Sequence, residues 1–267
     1  MTGRNWICST LALALALAGC GSPGRDASGT GDGFGTEVLG VTLGDVIYLV
    51  GVQSGRVSLD IESKSNVIIR NIALREVNPS LIEAGDGLTI NTSHHVWIDR
   101  CSFSNISDGY ADIRYGSKAV TLSYNHVDGR NSYVCGGQHN FISLVSDSDV
   151  TFNNNYFDHV GGRNPKVTDV SRVHLYNNYY DSVSYFCASS GASSQLLVEN
   201  NHYYNSRYPH WNEGGIIEAS GNVYAGSTST GGRDTSGDAF TPPYSYSKGS
   251  ASALNSSVPA HAGIGKL

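Results

Sequence analysis

The chain is 267 residues long, 39% hydrophobic and 15% charged, with a formal net charge of −6. That length allows one large domain with a substantial core. The acidic balance offers no basic surface and excludes nucleic acid as an expected partner. The 32 glycines and 16 tyrosines, with little charge and no long helical periodicity, favour β-structure with many turns.

In chain order, residues 1–20 (MTGRNWICSTLALALALAGC) read as an export signal: an early arginine, a short apolar run, then small residues before Cys20. The run from Leu11 to Ala18 is too short to span a bilayer. Leu17-Ala18-Gly19-Cys20 resembles the bacterial lipobox, so a lipid anchor at Cys20 is expected, with plain secretion as the alternative. Residues 21–35 read as a flexible Gly/Ser/Asp tether, 36–225 as the folded domain and 226–267 as a tail packed on it. Beyond Cys8 and Cys20, Cys101, Cys135 and Cys187 are odd in number and lack metal-ligand spacing. One disulfide is open to them, and the sequence does not choose the pair.

The domain repeats itself. NVIIRNIAL (66–74), HVWIDRCSF (95–103), AVTLSYNHV (119–127), DVTFNNNYF (149–157), RVHLYNNYY (172–180) and LLVENNHYY (196–204) share one pattern, and GIIEASGNVY (215–224) is a weaker last copy. The lead residues Val67, Val96, Val120, Val150, Val173 and Leu196 recur every 23 to 30 residues. Short strands at that period mean a solenoid whose coils pair in parallel. The expected fold is all-β, a right-handed single-stranded parallel β-helix, its hand following the usual chirality of parallel crossovers. Asn155, Asn178 and Asn201 recur at one phase and are expected to hydrogen-bond along the stack.

The repeat converts phase into position. Asp86, Asp108, Asp112, Phe141 and Arg163 all fall eight to twelve residues before a lead residue, so they are expected on one face. In GGRNPKVTD (161–169) the proline excludes a sheet interior, so Arg163 sits on a loop. In DGYADIRYG, Ala111 and Ile113 alternate with Asp112 and Arg114, which places the charged pair outward. Asp86 shares parity with Leu88 and Ile90 and must precede its strand in a turn. Carboxylates on adjacent coils suit Ca²⁺, which accepts irregular oxygen geometry; solvated turn aspartates are the other reading.

These segments resemble the pectate lyase and pectin lyase family, β-helical enzymes that cleave homogalacturonan. The matching pieces are NVIIRNI, GDGLTI, HVWIDR, DGYADIRYGSKAVTLSYN, GGRNPKV and RVHLYNNYY, and PPYSYS…AGIGKL is similar to the family's closing segment. The resemblance implies that Asp86, Asp108 and Asp112 bind calcium, that Arg163 is the catalytic base, and that Arg114, Phe141 and Lys166 contact substrate. It implies β-elimination on polygalacturonate or pectin by an exported, monomeric enzyme.

The chain departs from the family at several positions. WIDH is WIDR, with Arg100 for the histidine. Asn140 and Phe141 stand where a substrate-binding lysine is usual, Thr168 replaces a second arginine, and Ala84 replaces a fourth calcium carboxylate. The stretch DGRNSYVCGGQHNF is closer to pectin lyases, which act on methyl-esterified substrate without calcium. The acidic trio favours pectate lyase; a calcium-independent pectin lyase and a non-catalytic β-helix that binds acidic polysaccharide are the alternatives.

Overall fold

A computed structural model describes residues 47–50, 59–77, 86–106, 108–130 and 141–267. The expected export signal, the tether, Cys20, Ala84, Cys135 and Asn140 lie outside the described residues.

Three parallel sheets of eight, seven and seven strands wind through the chain. Each coil contributes one strand to each sheet, which makes the fold a right-handed parallel β-helix. The lead residues pair coil to coil: Val67 with Val96, Val96 with Val120, Val120 with Val150, and on through Val173 and Leu196 to Ile217. All seven are at most 3% exposed, so one apolar column runs the length of the core. Their strands, from Ser65–Arg70 to Ile216–Ser220, form the lead sheet.

Each repeat unit is two strands, not one, because the chain turns a corner inside it. The corner residue is left-handed in every coil: Asn71, Arg100, Tyr124, Asn154, Asn177, Asn200 and Gly221 have φ between 50° and 65°. Asn and Gly tolerate that region best, which accounts for the recurrence of Asn154, Asn177 and Asn200. One residue on, Asn125, Asn155, Asn178, Asn201 and Asn222 form the expected ladder. The first four Nδ2 groups donate to the next Oδ1 at 3.0–3.1 Å, and all five donate to a core-strand carbonyl. The ladder satisfies buried amides that would otherwise be costly at a corner without water.

After the corner, Phe157, Tyr180, Tyr203 and Tyr224 stack inside the core with ring centroids 4.8–5.4 Å apart. The remaining seven-stranded sheet, from Leu59–Glu62 to His210–Glu213, carries the candidate functional residues and is called here the site sheet. Cys101 and Cys187 are buried free thiols.

Beyond the last strand, Val223–Ala225, the chain crosses the outside of the lead sheet and ends in a helix over Leu254–His261. Leu254 and Val258 pack on Tyr179, Tyr156 and Val223. Glu199 anchors this tail. Its carboxylate accepts from the Tyr246 hydroxyl at 2.5 Å and from Lys248 Nζ at 2.8 Å.

Candidate active site

Asp86 lies just before the strand Leu88–Asn91, as its parity requires. Asp112 and Arg114 lie on the next strand, Ala111–Arg114, with Ala111 and Ile113 turned into the core. Asp86 Oδ1 accepts the Gly109 N–H at 3.0 Å and Asp112 Oδ1 accepts the Leu144 N–H at 2.8 Å. A Cβ on Gly109 would stand 2.5 Å from Asp86 Oδ1 and 3.0 Å from Asp112 Oδ1. The two carboxylates therefore pack so closely against Gly109 that no Cβ fits there.

Arg114 closes the cluster. Its Nη2 is 3.6 Å from Asp86 Oδ2 and forms an ion pair with Asp112 Oδ2. Burial, then the charges of Asp112 and Asp108, push the Asp86 carboxyl up to about 7. Asp112 is raised as well, burial outweighing the opposing pull of Arg114. Asp108 acts on both carboxyls through its charge. Even so, no three acidic, His or Cys side chains among the described residues converge at metal-ligand geometry.

Arg163 stands on the loop before the strand Lys166–Thr168, with φ 57°. Its carbonyl accepts the Ser143 N–H at 2.7 Å, which ties the loop to the neighbouring coil. Its guanidinium lies 4.6 Å from the centroid of the Phe141 ring. Gly162 allows this approach: a Cβ there would sit 3.2 Å from both Phe141 and Phe186. Asn164, fully buried, fixes the other side through N–H to Cys187 O at 2.7 Å and Nδ2 to Phe186 O at 3.1 Å.

The register corrects one expected placement. Ile113 pairs with Val145, and Leu144 with Lys166, so Lys166 is the residue level with Asp112 two coils on. Arg163 precedes that level by three residues, nearer the phase of Gly109. Lys166 is not free to meet substrate unaided, because its Nζ is 3.2 Å from Glu213 Oε2. Arg100 lies elsewhere, on the lead-sheet corner, paired with Asp99 at 2.7 Å and stacked on Tyr124. Sequence reasoning named Arg163 and Phe141 separately and missed their contact; their similar phase was the available signal. It missed the Arg114 bridge too, although shared strand parity had put Asp112 and Arg114 on one side.

Comparisons with known proteins now bear on this arrangement. The chain is 30% identical to a probable pectin lyase F-2 of Aspergillus terreus, over all of this chain and 64% of that protein. It is 34% identical to a probable pectin lyase D of Aspergillus niger, over 62% of this chain and 48% of the relative. The chain thus spans about half to two thirds of the length of these curated relatives. Among solved structures it resembles a pectate lyase of Bacillus sp. N165 in complex with trigalacturonate, with a TM-score of 0.66 and 25% identity over 82% of this chain and 75% of that one. Pectate lyase C of Erwinia chrysanthemi, solved with Ca²⁺, shares the fold with a TM-score of 0.67 and 22% identity over 82% of this chain and 72% of that one. The pectate lyase family model matches residues 40–267, and the chain belongs to that family.

Proposed function

We propose that the protein is an exported lyase that cleaves galacturonan by calcium-assisted β-elimination. The observation that carries this reading is that the Arg163 loop leads into Lys166–Thr168, a strand of the same sheet as the Asp112 strand and two coils on from it. Arg163 removes the proton on C5, α to the uronate carboxylate, and the electron pair left behind expels the C4 oxygen to give an unsaturated product. Phe141 holds the guanidinium at the loop, and Arg114 and Lys166 orient uronate carboxylates where these compete with Asp112 and Glu213 for them. Asp86 and Asp112, with Asp108 beside them, would hold the calcium ion. Carboxylate oxygens on adjacent coils are the hard donors that such a divalent cation takes. Bound there, calcium would supply Lewis-acid withdrawal of charge from the substrate carboxylate.

A second reading is favoured by Arg114. Its guanidinium already bridges the two carboxylates, so it could serve as the fixed cation for a calcium-independent enzyme acting on methyl-esterified pectin. The names of the fungal relatives lean the same way. Ultraviolet absorbance of unsaturated product, followed on polygalacturonate and on methylated pectin with and without chelator, tests both. Chelator-sensitive cleavage of polygalacturonate supports the first; chelator-resistant cleavage of methylated pectin supports the second. No product on either substrate leaves a non-catalytic polysaccharide binder.

A further inference from the structure

A second concavity lies on the outer face of the lead sheet, away from the site sheet. The segment from Ala239 to Tyr244 crosses that face as a strap pinned at both ends. The Ala239 N–H donates to Glu218 Oε2 at 2.8 Å. The Tyr244 hydroxyl bonds Thr151 Oγ1 at 2.6 Å and His174 Nδ1 at 2.9 Å. Between these pins a cleft of about 400 Å³ opens under the strap, a volume in the range of small-ligand sites.

The lining has a definite chemistry. Phe240 and Tyr244 supply aromatic faces, Thr121 a hydroxyl, and Lys118 and Arg172 the cationic rim. Asp149 is the acid in the lining, and Arg172 neutralises it through two bonds at 2.9 and 2.7 Å. Lys118 is exposed and, among the described residues, its ammonium has no hydrogen-bond or ion-pair partner. The lining therefore keeps an unpaired cation, Lys118, after Asp149 and Arg172 cancel. Next to the cleft, Trp97 is in register with Thr121 and 36% exposed, with Arg70 over its ring at 5.0 Å. Aromatic faces beside hydroxyls and a free cation match a sugar ring that bears a carboxylate. An uncharged apolar ligand would leave Lys118 without use, and a cationic one would be repelled.

We propose that this cleft is a second, non-catalytic binding site for an acidic oligosaccharide, with a uronate carboxylate on Lys118 and a sugar face against Phe240 and Tyr244. The identity of the sugar acid rests on the galacturonan reading of the catalytic face. A polymer held on one face raises the effective concentration of further segments at the other.

The test is calorimetric titration with trigalacturonate in an Arg163→Lys background, which prevents turnover. Two binding events are expected in the parent. With Lys118→Glu and Phe240→Ala added, one should weaken by about tenfold, the scale of a lost charge-assisted hydrogen bond. Lys118→Gln alone, a milder change of an exposed side chain, should weaken the same event by less, and matching melting curves establish that all variants fold. With Arg163 intact, Lys118→Glu should cleave trigalacturonate as fast as wild type. A single binding event in the parent, or two events untouched by the substitutions, overturns the proposal. If the wild type cleaves no uronate polymer but Lys118→Glu still abolishes one event, the cleft stands and the catalytic reading falls.

Discussion

The guanidinium of Arg163 lies over the ring of Phe141 at 4.6 Å, a contact between adjacent coils beside Gly162, where a Cβ would crowd two aromatic rings at 3.2 Å. The contact fixes the direction of a long side chain on an otherwise exposed loop. A cation–π contact of this kind contributes about 0.5–2 kcal/mol. Phe141→Ala is therefore expected to lower kcat/KM about threefold to thirtyfold through misplacement of Arg163. Phe141→Tyr should stay near wild type, because the ring is kept. Equal losses in both variants would show that Phe141 acts on substrate and not on Arg163.

Arg163→Lys keeps a positive charge and removes the planar fork. For a catalytic base the expected loss in kcat is about 10²–10⁴-fold. Wild-type rate should also climb with pH well above neutrality, because guanidinium groups release a proton only above about pH 12 and the neutral form is the minor one. A carboxylate base would level off once ionised, by about pH 7 even for the raised Asp86. Stopped assays across pH 5 to 10 at saturating calcium separate the two, and a flat profile removes arginine from the role.

Asp112→Asn removes the closer partner of Arg114 and half of the carboxylate pair, leaving Asp86 at 3.6 Å. Cleavage of polygalacturonate is expected to fall, with calcium binding weakened in calorimetry. Asp128→Asn is the control. Asp128 pairs with Arg130 on a different sheet, and its loss should leave activity within about twofold, as expected of an exposed ion pair. Wild-type protein that takes up no calcium with or without substrate, yet cleaves methylated pectin, places the cationic role on Arg114.

The sequence carried the fold because a β-helix writes its geometry at a fixed period. Val67 to Ile217 occupy one column, and Asn155, Asn178 and Asn201 hydrogen-bond as their shared phase required. The left-handed corner inside each unit was less plain, because Arg100 and Tyr124 stand where later coils use Asn. Side-chain partnerships were harder still. Arg114 and Lys166 were read as substrate contacts, and phase gave no sign that their charges also meet Asp112, Asp86 and Glu213. The tail anchor left no local signal, since Glu199 meets Tyr246 and Lys248 across 47 and 49 residues. Phase reports the rung on which a residue stands; it does not report what reaches across from another segment.

That anchor should be sensitive to acid. His174 is fully buried, with Nε2 3.2 Å from Glu199 Oε2 and Nδ1 2.9 Å from the Tyr244 hydroxyl. One neutral tautomer satisfies every group: Thr151 donates to Tyr244, Tyr244 donates to Nδ1, and Nε2–H donates to Glu199. Burial lowers the His174 pKa to about 4, and Glu199 cannot reverse the shift because Lys248 already neutralises it. The folded pKa is below the ordinary value of 6.5, so the unfolded chain binds more protons between those two values. Stability from this group is complete above about pH 6.5 and is lost as pH falls towards about 4. Glu199, itself lowered by Lys248 and Tyr246 against its burial, adds its own loss only below its ordinary value of 4.5. Asp86, raised to about 7, takes up its proton in the folded state over the same window and opposes this loss, so urea denaturation from pH 7 to 4 should show a midpoint that falls in the wild type relative to His174→Gln. His174→Gln should be less stable at pH 7 by about 1–3 kcal/mol, the cost of a broken buried bond, and should lack that share of the slope between pH 6.5 and 4.5. If the variant keeps the wild-type slope across that window, His174 does not titrate there and the acid sensitivity belongs to another group.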